Sequence, residues 1–385
     1  MSLTVGRPSV PAQRYADRLG RARVALAANG ADALLIGVGS DLVYLTGYVA
    51  MPLERLTMLV LPPTGSATLV APRLEAMAAA ISPAGSTDLV EIVPWDETDD
   101  AHALVADRLR SRPSRVLVGD KLWAMHVLGL QAAMPGTAFG LATDVLRTLR
   151  TRKDADEVAL LRAAARAADR VVMAIAHGPL IGRTEADVSQ EIADRLRDEG
   201  HDFGEFGIVA SGPNAASPHH SPADRRIEAG EPVVLDLGGP LGGYKSDTTR
   251  TVWLAGPDGS KPPDPEFLRI YDLVKRANEA AEAAVRPGAS CAELDGIARR
   301  VITDGGYGPQ FLHRLGHGIG LETHEEPYLV AGSPDKLAEG TTFSVEPGIY
   351  LEGRYGVRIE DIVACGAGGA DVLNETTHEL MVVTG

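Results

Sequence analysis

Four carboxylates lie inside apolar, β-prone segments of the C-terminal half: Asp236 in VVLDLGG, Asp247 in YKSDTTRT, Glu346 in SVEPGIY and Glu360 in GVRIED. A charge buried in such a strand costs several kcal/mol unless it meets a partner or a metal, so any fold must compensate all four. Singly, each has a bland reading: Asp236 as a turn or N-cap residue, Asp247 as an exposed strand residue, Glu346 paired with Arg358, and Glu360 with Arg354. Together those readings are strained. His317, among the small residues of LGHGIG, adds an imidazole where backbone can approach closely. Four carboxylates and one imidazole are what a pair of hard divalent cations needs.

Asp236 and Asp247 are eleven positions apart, in two strand-like runs joined by a Gly- and Pro-rich connection from Gly238 to Gly243. An antiparallel hairpin would bring both carboxylates to one face. His313, His317 and His324 fall within twelve positions in a chain with only ten histidines. Their spacing is not that of H-E-x-x-H, and Glu325 beside His324 is no sign of it. His313 reads as a surface-loop residue. His219 and His220 close a polar loop, SGPNAASPHH, a common place for catalytic groups but also for solvated ones.

The bulk numbers set the frame. With 385 residues the chain fits two domains, and a net charge of −15 lacks the basic footprint of a nucleic-acid binder. Its two cysteines exclude a disulfide framework. The N-terminus has prolines and charges where a signal peptide would be apolar, and no run approaches the roughly 18 apolar residues of a membrane span. Cytoplasm is the expected location.

Along the chain, a helix is expected from Tyr15 to Asn29, strands at ADALLIGVG, TMLVLPP, SATLVAP, LVEIVPW and RVLVGD, and helices from Leu74 to Ile81 and from His102 to Arg110. This alternation predicts an α/β domain over residues 1–149. A long helix in KDADEVALLRAAARAADRVVMAIAHG opens a second domain, 150–385, with the boundary between Arg147 and Lys153. That domain contains a weak repeat. Thr184 opens a helix with a near capping box and Ser290 another with a full one, each followed by a strand-like segment beginning with Phe, FGIVASG and FLHRLGHG. The repeat predicts pseudo-two-fold symmetry with strands of both halves meeting in one sheet.

VLDLGG, SDTTRT, GHGIGL-x-x-HE-x-P, EPGIY and GVRIED, in this order over positions 236–361, resemble the signature of the pita-bread metallopeptidases: methionine aminopeptidase, aminopeptidase P and prolidase. ADALLIGVGSDLVYLTGY resembles the N-terminal domain of aminopeptidase P, prolidase and creatinase, which sets methionine aminopeptidase at a distance; creatinase lacks the metal ligands present here. The resemblance implies an α/β N-terminal domain before an α+β pita-bread domain with a curved antiparallel sheet. It implies Asp236, Asp247, His317, Glu346 and Glu360 as ligands of two divalent ions, Mn2+ foremost with Co2+ or Zn2+ as alternatives. Asp247 and Glu360 would bridge, with Asp236 on one ion and His317 and Glu346 on the other.

His219, His324, Glu346, Arg358 and Tyr350 match the family's catalytic and supporting residues, while His220 is expected to be nearly silent. The activity implied is hydrolysis of the Xaa-Pro bond at the N-terminus of short peptides by a homodimer, as an Xaa-Pro aminopeptidase or Xaa-Pro dipeptidase. Tyr328 stands where some dipeptidases of the family have a basic residue for a substrate carboxylate, so dipeptides and longer peptides both remain. The alternatives are a hydrolase or lyase of the same fold acting on a non-peptide small molecule, and a non-catalytic binding protein.

Overall fold

The structure, a computed structural model, describes residues 8–109 and 112–384 of the chain. Two compact units divide at Arg150 and Thr151. The first comprises helices α1 (Ala12–Asn29), α2 (Ser40–Thr46), α3 (Ala76–Ala80), α4 (Ala101–Asp107), α5 (Ala124–Ala133) and α6 (Thr143–Thr151). Its strands are β1 (Ala33–Ile36), β2 (Met58–Leu61), β3 (Ala67–Pro72), β4 (Val90–Trp95), β5 (Arg115–Val118) and β6 (Ala138–Leu141). They form one mixed sheet in the order β4-β3-β2-β1-β5-β6. Leu35, Val60, Val70 and Val116 fill its core against Leu130 of α5.

The expected strands are present, and α1 stops at Gly30 in the left-handed region, φ 73°, where a side chain would be strained. The helix expected from Leu74 to Ile81 is shorter, a 3₁₀ turn over Arg73–Glu75 running into α3. The expected end of α4, Arg110, lies outside the described residues, as do residues 1–7 of the N-terminal stretch. α5 and β6 were not expected. α5 carries Gly129 and little polar periodicity, and β6 is a four-residue strand at the sheet edge.

The second unit starts with α7 (Ala155–Ala176), capped by Asp154 and Glu157, and α8 (Glu185–Asp198), capped by Thr184. There follow β7 (Phe206–Ser211), β8 (Glu231–Gly238), β9 (Pro240–Leu241), β10 (Tyr244–Lys245) and β11 (Thr248–Leu254). The second half has α9 (Pro265–Ala283) and α10 (Cys291–Asp304), the latter opened by the expected Ser290 capping box. Then come β12 (Gly316–Gly318), β13 (Glu325–Leu329), β14 (Thr342–Val345), β15 (Gly348–Leu351), β16 (Tyr355–Arg358), β17 (Asp361–Gly366), β18 (Gly369–Val372) and β19 (Met381–Val383). FLHRLGHG is strand only over its last three residues, β12, because a 3₁₀ turn and a loop precede it.

A β19-β11-β8-β7 sheet and a β13-β12-β14-β17-β18 sheet meet where Thr249 bridges Glu360. Each half keeps helices on one side of its sheet. Val233, Leu235, Leu237, Val252 and Leu254 pack against α7 and α8, and Phe343, Val345 and Val363 pack against α9 and α10. Among the described residues no helix is long and apolar enough to cross a membrane.

Candidate metal centre

Strand alternation decides which side chains reach the site. In β8 and β11, Val233, Leu235, Leu237, Val252 and Leu254 face the helices, so Asp236, Thr249 and, two residues before it, Asp247 face the other way. β8 and β11 pair Asp236 with Thr249, and Thr249 bridges Glu360. Asp236, Thr249 and Glu360 therefore form one row across three strands. From the other half, Glu346 follows β14, its N–H donating to Leu315 O at 2.8 Å. His317 sits between Gly316 and Gly318, whose added Cβ atoms would meet Ser344 O at 1.9 Å and Glu326 O at 2.3 Å. Only glycine allows that approach.

These side chains converge on one cavity of about 440 Å³, lined also by His219, His313, Arg314, Thr323, His324 and Arg358. Donor atoms of Asp236, Asp247 and Glu360 lie within 4.8 Å of one another, as do those of His317, Glu346 and Glu360, and those of Asp247, His317 and His324. His317 Nε2 is 3.3 Å from Glu346 Oε1 and 3.6 Å from Asp247 Oδ2. Its Nδ1 is 3.1 Å from Gly318 O, which fixes the ring with Nε2 toward the carboxylates.

The acids fit cations. Asp236 Oδ1 is buried without a hydrogen-bond partner among the described residues. Burial, then repulsion by Glu360, Asp236 and Glu346, holds the Asp247 carboxyl well above its usual range. Burial and the neighbouring Glu346 and Asp236 do the same to Glu360, and burial also raises Asp236. Such a set ionises together only when positive charge is brought in. Glu346 differs: burial pushes its carboxyl up, but the hydrogen bond and charge of His317 prevail and hold it at about 2.

A polar brace stands behind the acids. Arg358 donates to Asp236 Oδ2 (2.6 Å), Thr249 Oγ1 (3.1 Å) and the Tyr350 hydroxyl (2.9 Å). Thr249 Oγ1 donates to Glu360 Oε2 at 2.6 Å. Arg358 thus serves Asp236, not Glu346, while Arg354 pairs with Glu266 at 2.6 Å, away from Glu360. Tyr350 is buried and does not line the cavity; its hydroxyl, pushed up to about 12 by burial, is also 2.9 Å from His313 Nε2. His313 is half-buried at the site and not the surface-loop residue expected.

The two loop histidines diverge. His219 is exposed at the cavity, and its side chain makes no hydrogen bond to the described residues. His220 turns inward to Glu185 Oε2 at 2.8 Å. Fully buried Glu185 also accepts from Ser211 N and Oγ and from Asn214 Nδ2, so it ties both ends of the SGPNAASPHH loop to α8. The expectation that His220 is nearly silent is therefore corrected: it anchors the loop that carries His219. Glu325 is bound to Lys153 at 2.6 Å, which removes it from the chemistry. A further group, Glu282, Asp361 and His378, lies apart, with Asp361 bound to the buried Arg250 guanidinium at 2.7 Å.

An acidic donor set shared between two sheet halves, with an α/β unit before it, is the architecture of a two-domain metallopeptidase. Residues 159–367 match the profile of metallopeptidase family M24, and residues 18–152 that of the creatinase/prolidase N-terminal domain. The chain belongs to metallopeptidase family M24, whose members use divalent metal ions. It is 44% identical over 380 residues to the probable dipeptidase PepE of Mycobacterium tuberculosis, covering 98% of this chain and 99% of that protein. To the Xaa-Pro dipeptidase of Lactobacillus delbrueckii subsp. lactis it is 33% identical over 362 residues, covering 92% and 96%. Among solved structures, dipeptidase PepE from Mycobacterium ulcerans superposes with a TM-score of 0.91 at 45% identity, covering 98% of this chain and all of that one (100%).

Proposed function

We propose that this metallo-exopeptidase hydrolyses the Xaa-Pro bond of short peptides, with Asp236, Asp247, His317, Glu346 and Glu360 holding two divalent ions. The observation that carries the reading is the overlap of donor groups: Glu360 belongs both to the group with Asp236 and Asp247 and to the group with His317 and Glu346. Asp247 and Glu360 are the residues we assign to both ions. A set rich in carboxylates suits Mn2+ first, with Co2+ or Zn2+ as alternatives. Bound there, the ions supply Lewis acidity, making water nucleophilic near neutral pH and polarising a carbonyl oxygen.

The chain's own groups do the rest. Glu346, held at about 2 by His317, is ionised at neutral pH and takes the proton of the attacking water, later delivering it to the departing proline nitrogen. Partial burial, with His317 and Arg314 nearby, lowers His324 to about 4. It is therefore neutral at working pH and donates an N–H to the substrate carbonyl without adding charge. His219, whose side chain makes no hydrogen bond to the described residues, stabilises developing negative charge on the same oxygen. Arg358 and Tyr350 act through Asp236 and Thr249, as positioning residues. Relatives named Xaa-Pro dipeptidase and structural neighbours named prolidase support proline in the second position. A cytoplasmic homodimer completes the proposal; two buried cysteines suit a reducing compartment, and light scattering measures the assembly.

The test is hydrolysis of matched Xaa-Pro and Xaa-Ala peptides by protein stripped of metal and reloaded with Mn2+, Co2+ or Zn2+. Activity should vanish with chelation, return with metal and favour proline. Equal rates on the two series would sink the proline assignment. An Asp247→Asn protein that still binds two ions and turns over normally would sink the shared-ligand assignment.

A further inference from the structure

We propose that Arg250 is a positioning residue of the metal centre: from the back of the fold it fixes the spacing of the two halves that carry the donor groups. This rests on the two-ion reading above. Asp236 lies in β8 and Asp247 just before β11, while His317 lies in β12, Glu346 just after β14 and Glu360 just before β17. The two sheets that carry them are joined by an isolated bridge, in which the Glu360 N–H donates to Thr249 O at 3.1 Å.

The Arg250 guanidinium lies across that bridge. Arg250 follows Thr249 in β11, so its side chain leaves the face opposite the acids; it is fully buried and does not line the cavity. Nη1 donates to Thr249 O at 2.9 Å and to Glu360 O at 2.7 Å, one carbonyl from each half. Nη2 donates to Asp361 Oδ1 at 2.7 Å and Thr376 O at 2.6 Å, and Nε to Thr377 O at 3.0 Å. Every N–H of the guanidinium is thus used. The segment 374–378 that supplies two of these acceptors is itself tied to both halves. Asn374 accepts from Ile362 N and donates to Thr248 Oγ1, each at 2.8 Å, and His378 Nε2 is bound to Asp361 Oδ2.

A planar, rigid fork gives all its acceptors one shared geometry. Any change in the gap between Thr249 and Glu360 distorts both Nη1 bonds at once. Buried ion pairs contribute little net stability over well-packed apolar groups, so what Arg250 adds here is fixed geometry. That geometry matters because Glu360, assigned above to both ions, sits on one side of the gap and Asp247, the other shared acid, on the other. Two ions roughly 3.5–4 Å apart need their shared carboxylates held to within about 0.5 Å. Lysine carries the same charge, but its three N–H groups on one nitrogen cannot span this set of acceptors.

The experiment takes full-length, metal-free wild type, Arg250→Lys and His378→Ala, with Ile192→Val in the core against α8 as a control for plain loss of stability. It reads Mn2+ affinity by calorimetry, the electron paramagnetic resonance spectrum at two Mn2+ per chain, Tm, and kcat and KM on Ala-Pro. Arg250→Lys should bind Mn2+ about 10- to 100-fold more weakly and replace the spin-coupled signal of an ion pair by that of isolated ions. Its kcat should fall while KM stays within about threefold. His378→Ala loosens the 374–378 segment while Arg250 still holds Asp361, and should lose affinity toward the lower end of that range. Ile192→Val should lower Tm and leave affinity and spectrum as in wild type. An Arg250→Lys protein with wild-type affinity and a spin-coupled spectrum overturns the inference, as does an Ile192→Val protein whose affinity falls in step with its Tm. If Arg250→Lys fails to fold, His378→Ala decides, and affinity within about threefold of wild type overturns it. Wild type that binds no pair of Mn2+ ions overturns the two-ion reading and this inference with it.

Discussion

Thr249 is the smallest part of the site and gives the sharpest test of how the acids are held. Its hydroxyl donates to Glu360 Oε2 at 2.6 Å and accepts from Arg358 Nε at 3.1 Å, and the residue is fully buried. Thr249→Val keeps the shape and removes both bonds. A lost hydrogen bond to a buried charged group costs about 1.5–3 kcal/mol. Independently, removing the support of a metal-ligating group lowers metal affinity by about 10- to 100-fold. At about 1.4 kcal/mol per tenfold that is about 1.4–2.8 kcal/mol, so the two estimates overlap. The loss should fall on the metal-loaded form. Without ions, burial and the neighbouring acids disfavour the charged form of Glu360, and a neutral carboxyl needs the Thr249 donor less. Calorimetric Mn2+ titration of metal-free wild type and variant should show the weaker binding, and the variant should lose more melting temperature in the metal-loaded form than in the metal-free form, at about 2–4 °C per lost kcal/mol. Affinity within threefold of wild type, or equal destabilisation with and without metal, would refute the bracing argument.

His219→Ala should leave metal binding unchanged and lower kcat by about 10²–10³, as for one lost oxyanion donor; His220→Ala should cost about 1–3 kcal/mol of stability in a urea melt and impair activity more mildly, by loosening the Glu185-anchored loop. Identical behaviour of the two variants would end the distinction. Lys153→Met removes a cation from a nearly dry pair, side chains 1% and 9% exposed, and should lower stability in the same melt; an unchanged midpoint would refute a contribution of the pair. Glu282, raised to about 7 by burial and then by Asp361, binds its proton more tightly folded than unfolded, so its penalty on stability develops as pH rises from about 4.5 to about 7 and is full above that. Glu282→Gln should therefore stabilise at pH 8 by on the order of 1–3 kcal/mol and lose the gain below about pH 5, and a pH-independent difference would contradict it.

What could be read from the sequence follows a physical division. A charge in an apolar strand is a local anomaly, and parity along a strand is local too, so Asp236, Asp247, Glu346 and Glu360 stood out, as did the hairpin joining the first two. The glycines beside His317 announced close packing, which Ser344 O and Glu326 O supply. The Ser290 capping box was legible within four residues. Partners were not. Sequence proximity offered Arg358 to Glu346 and Arg354 to Glu360, yet Arg358 binds Asp236, 122 positions away. The row Asp236, Thr249, Glu360 requires the register of β8 on β11 and then of β11 on the segment entering β17, and no local pattern encodes either. Thr251 Oγ1 receives the N–H of Arg358 at 3.1 Å, which continues the antiparallel register of the Thr249–Glu360 bridge by two residues. That register places Arg358 one row from the acids, diagonal to Asp236. From there a single guanidinium can hold Asp236 and Thr249 together, and through Thr249 it also steadies Glu360.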